Sequence, residues 1–126
     1  MKKRILVIDD DQGILEAVGE ILDFAGFDVA KLPNCEQMFE TIAVFKPDLV
    51  LIDYLLSDIN GGEFCHLIKS NETTAAIPVI MMSAYPKVFL SLGNYNCDLF
   101  IAKPFDLDDL ILKVNTCLAG ALQRAV

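Results

Sequence analysis

The stretch Leu49-Val-Leu-Ile-Asp53 constrains the fold more than any other part of this chain. Four consecutive apolar residues run into one carboxylate, and Tyr54-Leu-Leu-Ser-Asp-Ile-Asn-Gly61 follows as a loop. A short apolar run bounded by turn residues is the pattern of a strand buried on both faces, as in parallel sheets. Such a strand delivers its last residue to the carboxyl edge of the sheet, where open α/β folds bind their ligands. Asp53 therefore falls where chemistry is usually done.

The rest of the chain repeats this unit. Arg4-Ile-Leu-Val-Ile-Asp9 reads as a first strand and Phe27-Asp-Val-Ala-Lys31 as a short second one. Ile77-Pro-Val-Ile-Met-Met82 reads as a fourth, ending at Ser83-Ala84, and Asp98-Leu-Phe-Ile-Ala102 as a fifth, ending at Lys103-Pro104. Helical periodicity fills the gaps. Asp11 is positioned to cap a helix with Ile14, Leu15, Val18, Ile21, Leu22 and Ala25 on one face, closed by Gly26. Pro33-Asn34 opens a second helix, with Asn34 as its cap, Met38, Phe39, Ile42 and Phe45 on one face, and Pro47 at its end. Asn60-Gly61 starts a third, carrying Phe64, Leu67 and Ile68 and fraying near Ser70-Asn71. Between Tyr85 and Asn96, Pro86, Gly93, Asn94 and Asn96 leave room only for a short helix around Val88–Leu92. Asp106 caps the last helix, whose buried face is expected to carry Leu107, Leu110, Ile111, Val114, Cys117 and Leu118. Asp108 and Asp109 fall in its first turn, where negative charge suits the helix dipole.

Five strands alternating with five helices predict an α/β fold, a doubly wound parallel sheet with helices on both faces. Right-handed crossovers and short loops favour the flavodoxin-like strand order 2-1-3-4-5. At 126 residues, one domain spanning 1–126 is expected.

Composition narrows the function. The chain is 54% hydrophobic, above the roughly 45–50% of an average soluble domain. No apolar run approaches the roughly 20 residues of a membrane helix. Met1-Lys-Lys-Arg4 imitates the start of a signal peptide, but the run Ile5–Ile8 stops at three aspartates. The expectation is a soluble, cytoplasmic protein with no membrane partner. A net charge of −8 argues against this chain gripping nucleic acid by itself. Cys35, Cys65, Cys97 and Cys117 have no zinc-ligand spacing and are expected as free buried thiols. His66, the sole histidine, is expected at a plain helix position.

The predicted strand order brings Asp9, Asp10, Asp53, Ser83 and Lys103 to one edge. Two carboxylates about 5 Å apart repel by roughly 3 kcal/mol at an effective dielectric near 20. Oxygen-only donors suit Mg²⁺, which binds through one or two carboxylates plus a phosphate. Lys103 adds a fixed positive charge and Ser83 a hydroxyl donor. Together these make a site for phosphoryl transfer in which a carboxylate is the nucleophile, forming an aspartyl-phosphate. Each signal alone has a plain structural reading, as a turn cap or a common dipeptide. Their joint placement at the ends of four strands is what singles them out.

With these residues the chain resembles, over essentially its whole length, the receiver domains of two-component response regulators. The acidic pair is Asp9-Asp10, the phosphoacceptor Asp53, and the glycine eight residues on Gly61. The hydroxyl residue before a small one is Ser83-Ala84, and the Lys-Pro pair is Lys103-Pro104. The resemblance implies that Asp9, Asp10, Asp53 and the Leu55 backbone carbonyl bind Mg²⁺. It implies a phosphoryl donor that is a sensor histidine kinase or a histidine phosphotransfer protein. Phosphorylation would draw Ser83 to the phosphoryl group and turn Phe100 inward. The face made by the short helix around Val88–Leu92, the fifth strand and the final helix would then be read by an output domain or a second copy. The chain departs from the family pattern at Ser57, where proline is usual, at Asn96-Cys97, where Gly-Ala is usual, and in a Ser83–Lys103 span about two residues short. Leu55 and Tyr85 would flank the phosphoryl group and hinder attacking water.

Two other classes fit less well. A phosphatase passing through an aspartyl-phosphate needs a second aspartate where Leu55 stands. A flavodoxin-like cofactor carrier needs a hydroxyl- and glycine-rich loop where Asp9-Asp-Asp-Gln-Gly13 stands. The expectation is a switch that assists its own phosphotransfer and dephosphorylation, not an enzyme with an external substrate. The sequence leaves open whether it stands alone or belongs to a larger regulator.

Overall fold

The computed structural model describes residues 2–56, 61–84 and 97–125. Five strands form one sheet: β1 (Arg4–Ile8), β2 (Asp28–Leu32), β3 (Leu49–Asp53), β4 (Val79–Ser83) and β5 (Leu99–Ala102). All four pairings are parallel, in the order β2-β1-β3-β4-β5. The described helices are α1 (Gln12–Phe24), α2 (Met38–Phe45), α3 (Gly61–Ser70) and α4 (Leu107–Ala125). The expected doubly wound flavodoxin-like fold is present. The short helix expected around Val88–Leu92 lies outside the described residues.

The apolar runs build two cores at once. Side chains alternate across a strand, so Ile5, Val7, Leu49, Leu51, Ile80 and Met82 face one side. They pack there with Leu15, Val18 and Leu22 of α1 and Leu110, Val114 and Cys117 of α4. The intervening Leu6, Ile8, Val50, Ile52, Val79 and Met81 face the other side. They meet Met38 and Ile42 of α2 and Phe64, Cys65 and Ile68 of α3. This is why β1, β3 and β4 read as continuous apolar runs. Burying each such side chain contributes about 1.5–3 kcal/mol.

Local chemistry sets the helix ends. Asp11 Oδ1 accepts from the Ile14 amide at 3.2 Å, capping α1. At the other end Gly26, at φ 99°, donates to the Asp23 carbonyl while Phe27 donates to Leu22. This left-handed stop favours glycine because a Cβ is disfavoured there. Asp106 caps α4 by accepting from the Asp109 amide at 2.8 Å.

Five residues depart from the expectations. Asn34 does not cap α2: its Oδ1 accepts from the Glu36 amide at 3.0 Å in a local turn, and the helix begins at Met38. Such short side-chain to backbone bonds compete with helix initiation. Leu107, expected on a buried face, is exposed, as are Phe39 and Leu67 from the apolar sets of α2 and α3. Periodicity marks a face without saying how far the sheet beneath it extends. Ala25 is likewise exposed, since it caps α1 just beyond Phe24.

Two polar ties close the amino edge of the sheet. The Arg4 amide donates to Asp48 Oδ2 at 2.8 Å, and the Arg4 guanidinium donates to the Phe45 carbonyl at 3.0 Å. Lys69, at the end of α3, pairs with Asp98 at 2.8 Å and donates to the Ile77 carbonyl at 2.7 Å. Asp98 also accepts from the Val79 amide at 2.8 Å, fixing where β5 joins β4.

Candidate functional site

Strand register decides which side chains meet. Ile8 stands opposite Ile52, Asp53 opposite Met82, and Ser83 opposite Ala102. The residues that follow β1 and β5, Asp9 and Lys103, therefore emerge beside Asp53 at the carboxyl edge. Backbone bonds extend the ladder past the strand ends: Asp9 donates to Leu32, Tyr54 to Met82, and Lys103 to Ser83.

Asp9, Asp53 and Ser83 are buried, and Asp10 is exposed. Carboxylate oxygens of Asp9, Asp10 and Asp53 all lie within 4.8 Å of one another. Lys103 Nζ reaches into this cluster, 2.8 Å from Asp9 Oδ2 and 2.9 Å from Asp53 Oδ1. The other oxygen of Asp9 accepts from the Asp11 amide at 2.9 Å. The turn that starts α1 thus also aims the Asp9 carboxylate.

Burial pushes the Asp53 carboxyl above its ordinary value, the Lys103 hydrogen bond opposes this, and the neighbouring Asp9 and Asp10 charges push it further up. For Lys103, burial favours the neutral amine, but the hydrogen bonds to Asp53 and Asp9 outweigh it and hold the ammonium above its ordinary value. The site is therefore three acids and one fixed cation in a partly dry pocket. Its donors are oxygen-only and closely spaced, which fits a small hard cation. Among sequence-predicted residues, Asp9, Asp10, Asp53 and Lys103 come together directly. Ser83 ends the neighbouring strand, and Leu55 follows two residues beyond Asp53, its side chain 58% exposed. Phe100 packs half-buried against the core that faces α2 and α3. Ser57, Asp58 and Tyr85 lie outside the described residues.

Sequence reasoning missed the Lys69–Asp98 pair and its bond to the Val79 amide. The only hint was an aspartate immediately ahead of the fifth apolar run. It also did not place Cys65 and Cys97 against the same core.

A parallel sheet of this order, with an acidic cluster and a lysine at its carboxyl edge, defines a flavodoxin-like fold with a charged pocket. The family model of the response regulator receiver domain matches residues 5–115. The chain belongs to that family, the phosphoacceptor switches of two-component signalling. It is 31% identical to the DNA-binding dual master transcriptional regulator RpaA of Synechocystis sp., covering 91% of this chain and 48% of that protein. It is 31% identical to the phosphate regulon transcriptional regulatory protein PhoB of Pseudomonas aeruginosa, covering 92% of this chain and 52% of that protein. The chain thus spans about half the length of the curated relatives it matches. A CheY-like response regulator receiver domain protein from Methanospirillum hungatei superposes with a TM-score of 0.86 at 28% identity, covering 98% of this chain and 99% of that one. Among the described residues, no helix is long and apolar enough to cross a membrane.

Proposed function

We propose that Asp53 accepts a phosphoryl group from a sensor histidine kinase or a histidine phosphotransfer protein. One Asp53 oxygen attacks phosphorus, and a P–O bond forms as the P–N bond to the donor imidazole breaks. The imidazole keeps the electron pair and takes a proton. The observation that carries this reading is the Lys103 ammonium held at 2.9 Å from Asp53 within the three-acid cluster. That cation lies where the transferred oxygens would carry charge, and fixed charge there costs no reorganisation during reaction. Mg²⁺, bound by Asp9, Asp10, Asp53 and the Leu55 carbonyl, would supply the remaining positive charge on the phosphoryl oxygens. Ser83 donates its hydroxyl to the phosphoryl group once it is in place, and Phe100 repacks inward.

The receiver unit occupies residues 1–126, and the reading implies a cytoplasmic protein. Its output passes through the face of β5 and α4 and the segment preceding β5, to an output domain or a second copy. The acidic chain does not bind nucleic acid by itself.

Incubation with Mg²⁺ and acetyl phosphate, followed by intact mass, tests the proposal. Wild type should gain one phosphoryl group and Asp53→Asn none. Equal gain in both, or none in either, would overturn the assignment of Asp53.

A further inference from the structure

At the amino edge of the sheet, α2 and the connection from α3 to β4 border a cleft of about 640 Å³. Small-molecule sites typically run from roughly 300 to 1,000 Å³. The cleft lies where β3 and β4 begin, whereas Asp53 ends β3 at the opposite edge. Phe39, Ile42, Pro47 and Ile77 supply its apolar wall. Ile42 and Pro47 are buried, and Phe39 is 42% exposed.

The polar wall is biased towards donors. Lys46 lines the cleft, and among the described residues it makes no salt bridge. Asn71 Oδ1 accepts from the Thr73 amide at 3.0 Å and from the Thr73 hydroxyl at 2.8 Å. Both acceptor sites of that oxygen are thereby used, and the Nδ2 hydrogens of Asn71 remain as donors. Among the described residues, no carboxylate lines the cleft. The wall is also tied in place. The Thr74 hydroxyl donates to the Ile68 carbonyl at 2.7 Å, the Ala75 amide to the Asn71 carbonyl at 2.8 Å, and Lys69 to the Ile77 carbonyl at 2.7 Å.

Lys46 is held in an uncommon backbone state. It closes α2 at φ 54°, ψ 63°, and among the described residues it is the one non-glycine at positive φ. Glycine or asparagine usually takes that position, because a Cβ is disfavoured in the left-handed conformation. Lysine there keeps a cation on the cleft wall at a conformational cost that glycine would not carry.

We propose that this amino-edge cleft binds a small monocarboxylate with an aromatic or branched aliphatic body. Its carboxylate meets Lys46 and Asn71, and its body lies against Phe39, Ile42 and Ile77. One ammonium matches one negative charge. A phosphate dianion or a nucleotide would bring more charge than a single lysine offsets in a chain of net charge −8. Pro47 and Ile77 lead into β3 and β4, the strands that end at Asp53 and Ser83. The site is thus a second input to the domain, separate from the acidic cluster.

Titration of the intact chain with phenylpropionate, followed by amide ¹H–¹⁵N spectra, tests the proposal. Saturable shifts should appear in the millimolar range at Lys46, Asn71, Thr73 and Thr74. Phenylpropanol keeps the apolar body without the charge, and acetate keeps the charge without the body. Both should bind about fivefold more weakly or worse, the size expected when one exposed charge contact or the apolar contact is lost. Lys46→Asn removes the cation while suiting the left-handed backbone, so its circular dichroism should match wild type and its affinity for phenylpropionate should fall to that of the alcohol. Lys46→Arg should retain the affinity. A lysine serving only the carboxyl end of α2 would change the melting temperature of these variants and leave affinity untouched. Absence of saturable shifts, equal binding of acid and alcohol by wild type, unchanged affinity in Lys46→Asn, or shifts centred on Lys103 would each overturn the proposal. None of these readouts involves phosphorylation.

Discussion

The Lys103 ammonium sits 2.9 Å from Asp53 Oδ1 while also holding Asp9 Oδ2 at 2.8 Å, so one cation offsets two buried acids. Lys103→Met keeps the aliphatic stem and removes the charge. The carboxylates are then left clustered without it, and breaking a buried pair on one side costs about 3 kcal/mol. Urea denaturation should show that loss in metal-free buffer. Millimolar Mg²⁺ should recover more stability in the variant than in wild type, because the acids then lack their built-in counter-charge. Equal stability of variant and wild type without Mg²⁺ would contradict the electrostatic role.

Asp53 gives a pH signature with a fixed sign. Burial raises its carboxyl above the ordinary value despite Lys103. The folded chain thus binds that proton more tightly than the unfolded chain does. Ionised Asp53 is therefore a cost, relieved as pH falls from neutral through the raised folded value and fully relieved below the ordinary value of about 4. Asp53→Asn carries no such titration. The variant should be the more stable protein at neutral pH, with its advantage shrinking as the buffer is made acidic. Urea midpoints of both proteins across that range provide the check; a gap that does not vary with pH would refute it.

Asp98 serves both Lys69 and the Val79 amide, at 2.8 Å each. Asp98→Ala leaves a mostly buried ammonium and a strand amide without this acceptor, and should cost about 3 kcal/mol. Asp98→Asn can still accept from Val79, so its loss should be smaller. If the two variants unfold at the same urea concentration, the backbone bond contributes nothing.

The aromatic residues separate packing from exposure. Phe64 is fully buried and Phe24 is 95% exposed. Phe64→Ala should cost about 3–5 kcal/mol through the cavity it leaves. Phe24→Ala should stay within about 0.5 kcal/mol of wild type. Thermal melts of the two variants side by side make the comparison.

Most of the scaffold was legible because burial on both faces leaves a strong mark. Leu49–Ile52 and Ile5–Ile8 cannot be anything but apolar when each residue faces one of two cores. The grouping of Asp9, Asp10, Asp53 and Lys103 was legible for the same reason, since strand order alone carries strand ends to one edge. What escaped were details fixed by particular neighbours. Asn34 had the chemistry of a helix cap, but its side chain satisfied the nearer Glu36 amide instead. Leu67 and Leu107 had helical spacing but no sheet beneath them. Lys69 and Asp98 meet only after α3 folds beside the start of β5. No local pattern encodes such a meeting.

β3 is flanked by β1 and β4 and covered on both faces. In terms of time, this gives Asp53 a backbone mount with a very slow clock. Amides held in a fully covered central ladder exchange with solvent only through the largest openings a protein makes. The exchange rates of Leu51 and Ile52 should therefore track complete unfolding of the chain. Any motion fast enough to carry a signal belongs to the segments around the Asp53 backbone, not to that backbone itself.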